Sequence, residues 1–492
     1  MSTGSHLSSS ALAEVVRLRP FRRLWLVFGL SSLGDWLGLL ATSSFASGLM
    51  RSTAAQGATF GAIIAVQLLP SLVLGPVAGV LADRFDRRRT MVAIDVARFL
   101  LYASIPAAGQ LVHRQAVVVA WAAAASFAVQ AGAMLWTPAK EAAVPNLLPK
   151  ARLETANQLT IITTYGITPV LAALAFAAVT SLPGLGRTDA AAVALYFDAL
   201  TFLASAAVVF FGVPEISGRR PATTATESSW TAIRTGVRHL LGTPMLRGLL
   251  AGLLGAFAGA GVVVGGARFY SRSLGGGDAS FWLLFAGLFV GFGLGVLAGP
   301  RLAGTLSRRL LFGLSVQLAG FAVVLLAMMP RLGGALPVVV LTGFGSGSAF
   351  LCGVTLIGAD VDDAVRGRVF AFVQTSARVM LLLAVAASST LAGLGVGSLV
   401  VLGPTAVPLS ASRILYFLAG MCGIAVGAVA VRQMTGHTAT SLWHAARTAH
   451  RSSPATAAPP DQDHFPVRGE DARRHGNRPP AGHDQLGADG RR

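Results

Sequence analysis

GPVAGVLADRFDRRRTM, residues 75–91, closes one long apolar run and opens the next. Gly75 and Gly79 stand four apart and give a helix one smooth face for close packing. Asp83 ends the apolar run with a carboxylate that can accept bonds from the N-terminus of a neighbouring helix. Arg84, Arg87, Arg88 and Arg89 follow, able to pair with carboxylates across the same face. A turn that merely keeps positive charge on the cytoplasmic side needs the arginines, but neither the glycine spacing nor the helix-terminal aspartate. The stretch reads as a packed, functional turn between two membrane helices.

Composition extends that reading to the whole chain. Of 492 residues, 53% are apolar and 12% are charged, and mean hydropathy is +0.65. A soluble globular chain carries about twice that charged fraction. So few polar residues cannot solvate a folded surface, and an integral membrane protein in a lipid bilayer is expected. The stretches without a bilayer-competent run are 1–23, 214–243 and 437–492. None is long enough for an ordinary catalytic domain, so no enzyme and no cofactor is expected. The net charge of +18 would suggest nucleic acid in a soluble protein, but here most arginines lie in short turns between apolar runs, and no nucleic-acid partner is expected. Cys352 and Cys422 sit inside apolar segments and form no disulfide or metal framework. The N-terminus lacks the short apolar core and small-residue cleavage site of a secretory signal.

A helical span needs about 20 apolar residues. Twelve segments qualify: 24–50, 58–82, 90–110, 115–137, 156–180, 190–213, 244–270, 280–304, 309–329, 335–359, 368–396 and 411–434. They are continuously apolar rather than alternating, which excludes a membrane β-barrel. With the N-terminus inside, 21 Lys and Arg fall on the cytoplasmic side, among them Arg17, the 84–89 turn, Lys140, Arg152, Arg308 and Arg368. Six fall opposite: Arg51, Arg114, Arg187, Arg272, Arg331 and Arg413. Both termini are therefore expected in the cytoplasm. A faint repeat at an offset of 216 matches Gly79–Ala82 with Gly295–Ala298, Arg152 with Arg368 and Gln158 with Gln374. The expected architecture is all-α: a cytoplasmic N-terminus (1–23), six-helix bundles at 24–213 and 244–436, and a cytoplasmic linker at 214–243. The Pro- and His-rich tail, 437–492, cannot bury enough surface to fold alone and is expected to be disordered.

The 75–91 turn resembles the G-x-x-x-D-R-x-x-R-R signature between helices 2 and 3 of the major facilitator superfamily, through Gly79, Asp83, Arg84, Arg87 and Arg88. Asp86 stands where that family often has glycine. DRFDRRR, together with GDW at 34–36, TPAKEAAVPNLLPKARLETANQL at 137–159 and RGRVFAFVQTSARV at 366–379, is similar to drug:proton antiporter-like exporters of the macrolide and siderophore type. The first helix and the 137–149 stretch also resemble the membrane half of actinobacterial transporter–thymidylate kinase fusions, but no phosphate-cradling GxxxxGK[ST] loop is present. The resemblance covers roughly 20–435 and implies a multi-pass transporter of the bacterial plasma membrane. It departs at two points: the fourth segment has no arginine, and the glycine-rich motif of helix 5 is reduced to Tyr165-Gly166-Ile167-Thr168-Pro169.

Ionisable residues at membrane depth cost about 2.5–3.5 kcal/mol each on insertion scales, so each needs a reason. Asp35, between Gly34 and Trp36, is read as a protonatable coupling site, or else as a carboxylate held by a nearby arginine. Asp95 and Arg98 share one helix face and are expected to pair with Asp83 or Arg84. Asp198 and Arg378 are read as members of structural pairs, with Arg378 placed by the repeat near a central cavity. Arg268 is expected to snorkel to the outer surface. Glu141, in the turn after the fourth segment, and Asp360, Asp362 and Asp363, in the matching turn, are read as cytoplasmic latches for Arg84, Arg87 or Arg308. Trp36, Gln67, Gln130, Asn157, Tyr165 and Gln374 are candidates to line the cavity, an aromatic and amide set suited to an amphipathic solute. With the family resemblance, the expectation is a monomeric, proton-coupled exporter of a small amphipathic substrate. The alternatives are a non-transporting membrane anchor and a lipid or lysolipid flippase.

Overall fold

Large apolar side chains such as Leu100, Phe211, Leu383 and Leu418 point outward, exposed, while glycine and alanine meet between helices. That is the pattern of a bundle dissolved in lipid. The structure, a computed structural model, describes residues 14–74, 85–148, 152–212, 243–275, 278–302, 306–361, 363–393, 398–402 and 405–435. Gly79, Asp83, Arg84 and Asp362 lie outside the described residues, as do most of the expected linker and the whole of the tail.

The first bundle comprises α1 (Arg19–Gly48), α2 (Thr53–Val73), α3 (Arg87–Leu111), α4 (Gln115–Leu147), α5 and α6 (Arg187–Gly212). Helix α5 runs from Leu153–Ile162 through a π turn at Thr163–Ile167 into Thr168–Thr180. The second bundle comprises α7 (Pro244–Ser273), α8 (Asp278–Leu302), α9 (Arg308–Met328), α10 (Leu332–Asp360), α11 (Asp363–Gly393) and α12 (Ala411–Thr435). Among the described residues these twelve helices are long and apolar enough to cross a membrane. Between α11 and α12, β1 (Ser398–Leu402) and β2 (Thr405–Leu409) pair antiparallel, with Leu402 opposite Thr405. This hairpin of five-residue strands is too short to span a bilayer and leaves the helix count unchanged.

Two local differences from the sequence reading bear on function. Asp86 caps α3, its carboxylate accepting from the Arg89 N–H at 3.0 Å, so the helix starts at Arg87 and the residue that departs from the family pattern has a structural use. Helix α4 continues to Leu147, so Glu141 lies in a helix rather than in the expected turn. Asp360 likewise ends α10 as a helical residue.

Packing follows residue size. Within the first bundle α1 and α3 both lie against α6; within the second, α8 lies on α10 and α9 on α12; α2–α11 and α5–α8 join the bundles. A Cβ on Gly291 of α8 would collide with the Val340 carbonyl oxygen of α10, and one on Gly343 with the Leu288 carbonyl oxygen. With Gly295 and Gly347 these form two small-x-x-x-small stripes in backbone contact. Arginines close helix ends. Arg413 donates to the carbonyls of Ala327 at 2.9 Å and Met329 at 2.7 Å and to Ser273 Oγ at 3.1 Å, tying the ends of α7 and α9 to α12. Arg23 donates to the Gly212 carbonyl at 3.0 Å and Arg88 to the Phe210 carbonyl, both at the negative end of the α6 dipole.

Candidate functional site

Arg98 is the centre of the charged network in the first bundle. It sits on α3, 1% exposed, with its guanidinium 3.6 Å from Asp35 Oδ1 of α1 and 3.8 Å from Asp95 Oδ1 one turn earlier on α3. It also donates to Ser31 Oγ at 3.4 Å and lies over the rings of Trp136 (5.8 Å) and Phe202 (5.1 Å). The second Asp95 oxygen accepts from Ser205 of α6 at 2.6 Å. Asp95 is thus held on both sides, whereas the Asp35 side chain is 38% exposed and has, among the described residues, a single long ion contact. A charge in apolar surroundings is stable only when paired and hydrogen-bonded, a condition that Asp95 meets more fully than Asp35. The expected Asp95–Arg98 pair forms, and Asp35 joins it; Asp83 and Arg84, the expected further partners, lie outside the described residues.

One residue further along α1, Trp36 enters a cavity of about 340 Å³. The cavity is walled chiefly by the second bundle, with Phe285, Leu288, Phe289 and Phe292 of α8, Leu381 and Val385 of α11, and Gly320 and Val323 of α9; Ile64 and Leu68 of α2 close the near side. Its polar lining is sparse, with Thr342 and Ser346 of α10. The rings form a continuous ladder: Trp36–Phe289 at 4.8 Å, Phe289–Phe292 at 6.3 Å, Phe292–Phe350 at 5.7 Å and Phe350–Tyr165 at 6.1 Å. It runs from α1 through α8 and α10 to α5, so both bundles touch it. The phenylalanines were missed by sequence reasoning. Their signal is the spacing 281, 285, 289 and 292, one stripe of one helix.

The π turn of α5 lies where the family's glycine-rich motif is reduced. Pro169 has no N–H for the carbonyl four residues back, and the widened turn recruits side chains in its place. Trp36 Nε1 donates to the Thr164 carbonyl at 2.9 Å, Trp25 Nε1 to Thr163 Oγ1 at 3.0 Å, and Thr168 Oγ1 to the Thr163 carbonyl at 3.0 Å. Gly166 then meets Gly293 of α8, backbone to backbone. Trp36 therefore joins three features: the cavity, the α5 turn, and the charged residue beside it in sequence.

At the end of the bundles where α1 stops and α2 starts, the two halves are fastened together. Arg268 of α7 is buried and donates to Ser47 Oγ of α1 while lying over the Phe60 ring. Arg272 donates to Gln56 Oε1 at 3.2 Å, and Ser389 of α11 donates to the Gly57 carbonyl at 2.5 Å. Arg268 is thus a bundle-to-bundle fastener and does not snorkel, because Ser47 sits within its reach.

The remaining candidates are placed as follows. Gln67 is buried beside the cavity-lining Leu68 but is not itself in the wall. Gln130 and Gln374 are half-buried and outside the wall, and Tyr165 is partly exposed, its ring against Phe350. Asn157, Glu141 and Asp360 belong to helices α5, α4 and α10. Arg87 is buried at the start of α3. Arg378 is half-buried, has no ion pair among the described residues, and lies three residues before Leu381 on the same face of α11. The expected structural pair for Arg378 is absent there.

Comparison with known proteins bears on this arrangement. The family model described as Major Facilitator Superfamily matches residues 24–385. An uncharacterized MFS-type transporter of Bacillus subtilis is 30% identical over 234 residues, which cover 46% of this chain and 50% of that relative, so the match spans half of that relative's length. An uncharacterized MFS-type transporter of Mycobacterium tuberculosis is 29% identical over 376 residues, covering 73% of this chain and 81% of that one. Among solved structures, a D-xylose-proton symporter superposes with a TM-score of 0.65 at 13% identity, covering 85% of this chain and all of that one. A bacterial homologue of the human lysosomal transporter Spinster gives 0.60 at 14% identity, covering 92% and 100%. At such identities the likeness establishes the fold alone.

Proposed function

Because the chain belongs to the Major Facilitator Superfamily, and is thereby a multi-pass secondary transporter, we propose that it exports an amphipathic small molecule by alternating access, driven by proton influx. In this reading it works as a monomer in the bacterial plasma membrane with both termini in the cytoplasm, and the fastened end of the bundles faces outward. The observation that carries the reading is the junction at Asp35–Trp36: one residue touches Arg98 and the next walls the cavity. The aromatic, sparsely polar wall suits the apolar part of a solute, and Arg378 on the cavity face of α11 suits a polar or anionic end. Protonation of Asp35 would release Arg98, and α1 would carry that change to Trp36. The Arg268–Ser47 and Ser389–Gly57 contacts then belong to the state closed on the outside, and alternation requires them to open.

The test is purified protein in liposomes under an imposed pH gradient, with a panel of macrolides and siderophores. Gradient-dependent loading that Asp35→Asn abolishes supports the reading. No loading of any compound by the intact protein favours a membrane anchor instead, and transbilayer movement of a labelled lysolipid favours a flippase.

A further inference from the structure

Helix α6 brings a third carboxylate into the first bundle, and it is held differently from the other two. Asp198 is 0% exposed, and no group among the described residues donates a hydrogen bond to either of its oxygens. Tyr102 of α3 is equally buried, and its hydroxyl also has no partner. Across from both is Gly38 of α1. A Cβ on Gly38 would lie 2.5 Å from Tyr102 Oη and 2.6 Å from Asp198 Oδ2, so only a glycine here lets these two oxygens close in together on α1. Gly38 is one turn beyond Asp35 on α1.

The charges around Asp198 do not balance. Asp35 of α1 and Arg98 of α3 act on Asp198 electrostatically, and Tyr102 of α3 stands beside it at Gly38; α5 brings no charged or titratable side chain between Thr168 and Thr180. Arg98 is held between Asp35 and Asp95, and Lys140 of α4 acts on Asp35. Among the described residues, three carboxylates here therefore share two cations. The surplus negative charge falls on the carboxylate with no donor. An uncompensated buried charge is relieved by a bound cation, and the smallest that fits between a carboxylate and a hydroxyl is a proton.

We propose that Asp198 is a second proton site, exchanging one proton with the solvent-reachable Asp35 through the Tyr102 hydroxyl, where both oxygens close in on Gly38. In the transfer an O–H bond on Asp198 breaks and one forms on Asp35. Tyr102 accepts a proton on its oxygen as it gives up its own, and ends unchanged. Arg98 then trades its contact with Asp35 for a bundle whose charge surplus has moved to Asp198. The use of this step in transport rests on the proton-coupled reading above, but the site itself is testable without transport.

The experiment is difference infrared spectroscopy on the purified full-length protein, titrated with acid in light and heavy water. One protonated-carboxyl C=O band is expected to be lost in Asp198→Asn and kept in Asp35→Asn, with one fewer proton taken up per chain. Tyr102→Phe removes only a hydroxyl and is expected to keep the band, displace its frequency and slow its hydrogen–deuterium exchange at least tenfold. An unchanged spectrum in Asp198→Asn overturns the proposal. If that variant does not fold, an undisplaced band with undiminished exchange in Tyr102→Phe overturns it instead. A band that persists while gradient-driven loading fails in liposomes supports the site and removes the coupled-transport reading. Loading that continues with no such band does the reverse.

Discussion

Replacing Arg268 by methionine tests whether the fastened end of the bundles is a gate. The substitution keeps a long, largely apolar side chain but removes the guanidinium that donates to Ser47 Oγ and covers Phe60 at 5.9 Å. A buried hydrogen bond from a charged donor is worth about 1.5–3 kcal/mol, and a cation over a ring about 0.5–1 kcal/mol. Part of this returns through methionine packing, and only the portion absent from the open state shifts the equilibrium. A net change of about 2 kcal/mol is a shift of roughly 30-fold toward the state open at that end. The assay is pulsed dipolar spectroscopy between spin labels at Arg51 and Thr390, both exposed, with Cys352 and Cys422 replaced by alanine. The expected result is a second, longer distance population in Arg268→Met, and a smaller increase in Ser47→Ala. An unchanged distribution in Arg268→Met would refute the gate.

Arg98→Met leaves Asp95 buried without its cation, and is expected to cost about 3–5 kcal/mol and lower the thermal unfolding temperature. Adding Asp95→Asn should recover most of that loss, and no recovery would mean that Arg98 acts elsewhere. Arg413→Ala removes the donor to Ala327, Met329 and Ser273 and is expected to cost about 1–3 kcal/mol, read as a lower unfolding temperature with the ends of α7 and α9 exchanging amide hydrogens faster. Gly343→Leu forces α10 away from the Leu288 carbonyl and should abolish stable folding, whereas the same change at Gly333, where a Cβ meets nothing, should be tolerated; equal expression of both would contradict the close α8–α10 contact. Trp36→Phe keeps an aromatic ring in the ladder but loses the bond to the Thr164 carbonyl. It should weaken stability by about 0.5–1.5 kcal/mol and change the affinity for any transported solute, which substrate-dependent fluorescence would report.

The sequence by itself determined the solvent, the number of helices and their family. Runs of twenty or more apolar residues can satisfy their backbone only as helices in lipid, and that constraint is local to each segment. It also exposed Asp35, Asp95, Arg98 and Asp198, because a charge inside such a run stands out in composition alone. Which of them meet was not legible. Pairing depends on helix rotation and on which helices neighbour one another, so Asp35 came to Arg98, and Asp198 was left beside a tyrosine against a glycine. Helix rotation likewise drew Arg268 inward to Ser47 and set the phenylalanine stripe of α8 against Trp36, contacts between residues more than two hundred positions apart that no local pattern encodes.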